Sequence, residues 1–126
     1  HVTGVQTCAL PIFHCRTVPG RYVHMTDTEK DQARRDYTAY LLELLERGKA
    51  ADLLVLDEVI SALNRGIVPM EPVAAYLKAW GGEKEIVLTG RNPAQTLVDL
   101  ADYVTEMRKE KHPFDQGVRA RKGIEY

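Results

Sequence analysis

Apolar side chains follow two rhythms along this chain, and each predicts one kind of element. From Asp27 to Arg47 they return at three- and four-residue steps, with Tyr37, Tyr40, Leu41, Leu44 and Leu45 sharing a face, which is the period of an amphipathic helix. Thr26 with Glu29 three positions later matches a capping box, so the helix begins there and ends near Gly48. Ala51-Asp52-Leu53-Leu54-Val55-Leu56 is instead a short continuous run without alternation, the pattern of a parallel strand covered on both faces. Glu85-Ile86-Val87-Leu88-Thr89 repeats it.

Breakers divide the rest. A short helix, Val59 to Asn64, stops at Gly66, and Pro69 suits the first turn of another helix that reaches Trp80 and closes at Gly81-Gly82. Gly90-Arg91-Asn92-Pro93 turns the second strand into a helix with Asn92 as N-cap and Pro93 at the first helical position, carrying Leu97, Val98, Leu100 and Ala101 inward. Tyr103 to Met107 is a third strand candidate, and Arg108 to Tyr126 is polar, Gly-punctuated and irregular. Phe13 to His24, broken by Pro19-Gly20, reads as a strand remnant and loop. Strands alternating with helices indicate an α/β fold with a parallel sheet.

Composition fits one globular domain: 126 residues, 44% hydrophobic and 28% charged. Val2 to Ile12, VTGVQTCALPI, resembles a reading-frame translation of a short-read sequencing adapter. Residues 1–12 are therefore expected to be an artefact, and 13–126 the carboxyl-terminal part of a single domain. On that reading Cys15 is the only native cysteine of the two present, which excludes an intrachain disulfide and suits a reducing cytoplasm. Seventeen basic and eighteen acidic side chains give a net charge of -1, with basic residues dispersed, so nucleic acid is not expected as a partner. No run approaches the roughly 18 apolar residues of a membrane span.

In a parallel α/β sheet ligands bind outside the carboxyl ends of the strands. Leu53 to Glu58, LLVLDE, delivers Asp57 and Glu58 there, as a Walker B element does beside a nucleotide, and paired carboxylates suit a hard cation that completes its shell with water and phosphate oxygen. The alternative is that soluble acids simply end a strand. Thr89-Gly90-Arg91-Asn92-Pro93 combines a small residue, an arginine and a helix start, which suits an anion, although an ordinary turn has the same composition. A basic tail with Phe114 embedded can close over an anionic ligand or remain solvated. His112 has no second histidine or cysteine at ligand spacing.

Taken in order, LLVLDEV, VLTGRNP, LADYVTEM and KHPFDQGVRARKGIEY resemble the P-loop type of cob(I)alamin (corrinoid) adenosyltransferase over Gly20 to Tyr126. The resemblance implies a partial P-loop, RecA-like parallel sheet flanked by helices, with the amino-terminal βα unit missing. It implies transfer of the 5'-deoxyadenosyl group of ATP to the cobalt(I) of a corrinoid, with release of tripolyphosphate and with Mg2+ as cofactor. Asp57 and Glu58 would be the catalytic and metal-binding acids; Thr89, Gly90, Arg91, Asn92, Tyr22, His24, Lys111 and His112 would bind nucleotide or corrinoid. Tyr22 keeps an aromatic ring in the stretch expected beside the corrinoid, whereas His24 stands where similar sequences carry tryptophan. A flavoprotein reductant and a homodimer are the further partners implied.

No GxxxxGK[ST] string occurs in the 126 residues. A chain without that phosphate cradle, its lysine and its hydroxyl ligand is expected to be inactive by itself. Two other readings share the strand-ending acids: a RecA-like nucleotide-binding module without transferase chemistry, and a non-catalytic interaction domain. Neither gives a reason for the KHPFDQGVRARKGIEY tail.

Overall fold

The computed structural model describes residues 13, 15 and 20–125. The stretch expected to derive from an adapter, and residues 14 and 16–19 of the Phe13–His24 remnant, lie outside the described residues. Tyr22–His24 forms a single 3-10 turn.

Helix α1 (Asp27–Gly48) starts at the expected capping box: the Glu29 amide donates to Thr26 Oγ1 over 3.3 Å, and the Thr26 amide donates to Glu29 Oε2 over 2.7 Å. Two amides that the helix cannot satisfy are thereby bonded, a device that stabilises by about 1 kcal/mol. Its far end is held from outside. Lys84 Nζ donates to the carbonyls of Gly48, Lys49 and Ala51 at 2.7, 2.6 and 3.1 Å, and lies 4.8 Å from the centre of the Trp80 ring. A cation at a helix carboxyl terminus also meets the negative end of the helix dipole.

Strands β1 (Leu53–Leu56) and β2 (Glu85–Leu88) pair in parallel, Leu53 with Glu85 through Leu56 with Leu88. Between them run α2 (Val59–Asn64) and α3 (Met70–Trp80), and α4 (Gln95–Leu100) follows β2. The core joins Leu41 and Leu45 of α1, Leu56 of β1, Val59 and Ile60 of α2, Val73 and Tyr76 of α3 and Leu97 of α4, with Ile67 and Val68 between helices. Leu54, Ile86 and Leu88 pack against this cluster.

The structure departs from the sequence expectations in three places. Alternation puts Leu53, Val55 and Val87 on the other face of the sheet, where they are 49%, 51% and 43% exposed, so only one face of the strands is covered by described residues. Tyr103 to Met107 is not a strand: it has no ladder partner among the described residues, and Tyr103 and Met107 are 92% and 95% exposed. A strand exists only where a neighbour takes its amides and carbonyls, which a local apolar pattern cannot provide. Finally, α4 starts at Gln95 with Ala94 as N-cap, because Asn92 adopts a left-handed backbone (φ 53°) instead of the extended one of an N-cap. Leu97 is buried, whereas Ala101 is exposed. No helix among the described residues is long and apolar enough to cross a membrane.

Candidate functional site

The parallel register brings the carboxyl ends of β1 and β2 side by side. Thr89, one residue past the Leu56–Leu88 pair, sits against Asp57 and Glu58. Its amide donates to Leu56 O over 3.2 Å, its hydroxyl donates to Asp57 Oδ1 over 2.7 Å, and the same oxygen accepts from the Glu58 amide at 2.9 Å. One hydroxyl thus fixes both acids relative to the neighbouring strand. Glu58 is the N-cap of α2 and holds a left-handed backbone (φ 57°), a conformation that costs a non-glycine residue about 1–2 kcal/mol. Its Oε2 accepts from Ser61 Oγ over 2.6 Å.

Among the described residues each acid therefore has one carboxylate oxygen in a hydrogen bond and one left over, and both side chains are exposed. Hard oxygen donors of this kind suit a divalent cation that draws the rest of its shell from water and substrate. Among the described residues no group of three or more His, Cys, Asp and Glu side chains comes together, so a fully protein-built cage does not exist there.

The second half of the site is the loop from Gly90 to Pro93. Gly90 has φ 143°, and a side-chain carbon built on it would lie 2.6 Å from Ile60 Cβ and 3.1 Å from the Ser61 amide nitrogen. The glycine is thus required by the close approach of α2. Arg91 is exposed. The helix start that was expected beside it lies further on, at Gln95, and α4 has only six residues, so the anion-binding case at this loop rests on the guanidinium.

The remaining expected site residues stand apart. Tyr22 is half-buried against the core, its hydroxyl accepts from Arg34 Nη1 over 3.1 Å, and Lys30 lies 5.8 Å from its ring centre. Asp31 holds the other side of the Arg34 guanidinium, which keeps its own carboxyl below the usual range. His24 is exposed at the end of the 3-10 turn. His112 Nδ1 accepts from the Phe114 amide over 3.1 Å and so caps a 3-10 turn, Pro113–Gln116, while Lys111 is exposed. Among the described residues no hydrogen bond or ion pair joins any of these four to Asp57, Glu58 or the Arg91 loop. Ser61 and Asn64, which bond to the site from α2, were invisible in the sequence because only the fold of that short helix against the sheet edge brings them there.

A shallow depression lined by Asp52, Gly81, Gly82, Glu83, Lys84 and Glu85 lies at the amino ends of the strands, opposite the acids. Its lysine donates to three carbonyls of the α1 carboxyl end.

The family model for ATP:corrinoid adenosyltransferase BtuR/CobO/CobP matches residues 3–126. Corrinoid adenosyltransferase CobA of Salmonella typhimurium is 36% identical over 105 residues, covering 79% of this chain and 54% of its own length. Corrinoid adenosyltransferases of Pseudomonas aeruginosa and of a Sinorhizobium species are 33% and 35% identical, each over 79% of this chain and over 49% and 47% of their own lengths. The chain spans about half the length of the curated relatives it matches.

Proposed function

The chain belongs to the ATP:corrinoid adenosyltransferase family, and we propose that it forms part of an enzyme moving the 5'-deoxyadenosyl group of ATP onto the cobalt of a reduced corrinoid. The observation that carries this reading is the pair of acids held by Thr89 at the carboxyl ends of two parallel strands, in a chain of that family. The bond that forms joins cobalt to C5', the bond that breaks joins C5' to the triphosphate oxygen, and the electron pair leaves on tripolyphosphate. Cobalt(I) is a strong nucleophile, so no general base is needed; the protein's part is alignment and neutralisation of the leaving charge.

Asp57 and Glu58 would hold Mg2+, which when bound offsets the negative charge of the phosphates. The site fits such an ion through two exposed carboxylates, each with an oxygen to spare. Arg91 would contact the phosphates through its guanidinium. Tyr22 and His24 would face the corrinoid, and Lys111 and His112 would approach the nucleotide from the tail. A flavoprotein would supply the reduced corrinoid, and the complete protein would be a homodimer with a RecA-like sheet. The domain would run from Phe13 onward, a boundary supported by Arg47 lying 4.9 Å from the Phe13 ring centre.

The 126-residue chain is inactive by itself on this reading, because it contains no GxxxxGK[ST] phosphate cradle. Purified chain mixed with cob(I)alamin and MgATP will leave the absorbance of adenosylcobalamin at background. Formation of that product would overturn the claim.

A further inference from the structure

The loop that carries Arg91 is not held by its own strand or helix. Asn64, the last residue of α2, donates from Nδ2 to two successive carbonyls of that loop, Arg91 O at 2.9 Å and Asn92 O at 3.0 Å. At the other end of α2 the Ile60 amide donates to Thr89 O over 3.2 Å, and Gly90 packs against Ile60 between these ties. The helix is thus bonded along the loop at Thr89, Arg91 and Asn92. Its N-cap is Glu58. One six-residue helix therefore connects the acids of the first strand to the arginine of the second.

The bonds from Asn64 fall where the backbone most needs them. Asn92 is left-handed and Gly90 has a φ open to few residues, so the loop's conformation is not one that the free chain would favour. A side-chain amide has two N–H groups at a fixed angle and can satisfy two adjacent carbonyls at once. Aspartate has the same shape, but when ionised it only accepts, and it would set negative charge against the same carbonyls.

We infer that Asn64 is a positioning residue for Arg91: it fixes the loop backbone from which the guanidinium reaches a phosphate-bearing substrate. The inference rests on the proposed function for the identity of what Arg91 reaches, and on the two hydrogen bonds for the positioning itself. Arg91 touches the ligand; Asn64 acts through it.

Limited trypsin digestion of the native 126-residue chain, with the Arg91–Asn92 cut followed by mass spectrometry, tests both parts. Asn64→Ala and Asn64→Asp should each speed that cut roughly tenfold, the factor that one or two neutral hydrogen bonds contribute to a local opening equilibrium. Val73→Ala, a core truncation in α3 away from the loop, serves as the control for general loosening. Cutting at the wild-type rate in both Asn64 variants, or no faster than in Val73→Ala, would overturn the inference. Inorganic tripolyphosphate with Mg2+ should slow the cut in the wild-type chain and protect the Asn64 variants less. A clear acceleration in the variants with no tripolyphosphate protection in any chain would overturn the phosphate role of Arg91 in this chain and would leave the positioning by Asn64 standing.

Discussion

Thr89 Oγ1 donates to Asp57 Oδ1 over 2.7 Å across the two parallel strands, and it does so while accepting from the amide of Glu58. A hydroxyl can play both parts at once, and valine of the same shape can play neither. Thr89→Val should therefore cost about 1 kcal/mol of stability, in the range of a net hydrogen bond, while Thr89→Ser stays near wild type. Urea unfolding of the three proteins decides this. Equal stability of the valine and serine variants would show that the hydroxyl is not what joins the strand ends.

Glu58 shows where local energy and site geometry disagree. Its left-handed backbone is disfavoured for glutamate and free for glycine, yet the acid is the residue present. Glu58→Gly is expected to keep or raise stability, by up to about 1 kcal/mol, because relief of strain outweighs the loss of an exposed bond to Ser61. Thermal unfolding that drops by several degrees would mean that the Glu58 side chain supports the fold itself.

Gly90 makes the opposite case, since both its φ of 143° and the 2.6 Å that would separate a new Cβ from Ile60 Cβ forbid a larger residue. Gly90→Ala should destabilise by about 3 kcal/mol or more, combining backbone strain with overpacking. A double variant with Ile60→Gly, which removes that Cβ, would recover part of the packing cost and leave the backbone part. Calorimetry on the single and double variants separates the two, and full tolerance of Gly90→Ala would contradict the close approach of α2.

Burial raises the hydroxyls of Tyr37 and Tyr76 above the ordinary tyrosine value of 10.0. A group whose folded pKa is raised contributes stability that is complete below its unfolded value and is lost as pH climbs through the folded one. The fold should hold steady up to about pH 10 and weaken above it, because both phenols must then ionise against burial. Tyr76 OH is also buried without a hydrogen-bond partner among the described residues. Tyr76→Phe should therefore leave stability at pH 7 unchanged or slightly higher, and flatten the alkaline decline. A loss of more than about 1 kcal/mol at pH 7 would reveal a partner for that hydroxyl.

Features settled by near neighbours were legible in the sequence. The capping box at Thr26 and Glu29, the length of α1, the stop of α2 before Gly66 and the acids ending β1 all appear where the residue pattern places them. Features that depend on what lies across space were not. Whether Leu53 and Val55 are covered is decided by a neighbouring layer, and whether Tyr103 to Met107 forms a strand is decided by a partner, so an apolar run alone gave the wrong answer for both. Asn92 looked like an N-cap because asparagine suits that position, but it suits the left-handed backbone equally. At the site, Asp57, Glu58, Thr89 and Arg91 were readable from the strand ends, whereas Ser61 and Asn64 act through bonds that only the folded position of α2 creates.

The central claim, that Asp57 and Glu58 serve nucleotide chemistry in a corrinoid adenosyltransferase, is tested most directly with the whole reading frame. Long-read sequencing of the source DNA upstream of the Phe13 codon would supply that frame, and the expressed protein would be given cob(I)alamin and MgATP with adenosylcobalamin followed by absorbance. The account predicts a GxxxxGK[ST] segment upstream, product from the wild-type protein, and loss of at least about a hundredfold in rate for Asp57→Asn with Glu58→Gln, as expected when the acids of a phosphate-bound cation are neutralised. Product formed equally fast by the doubly neutralised protein would contradict it.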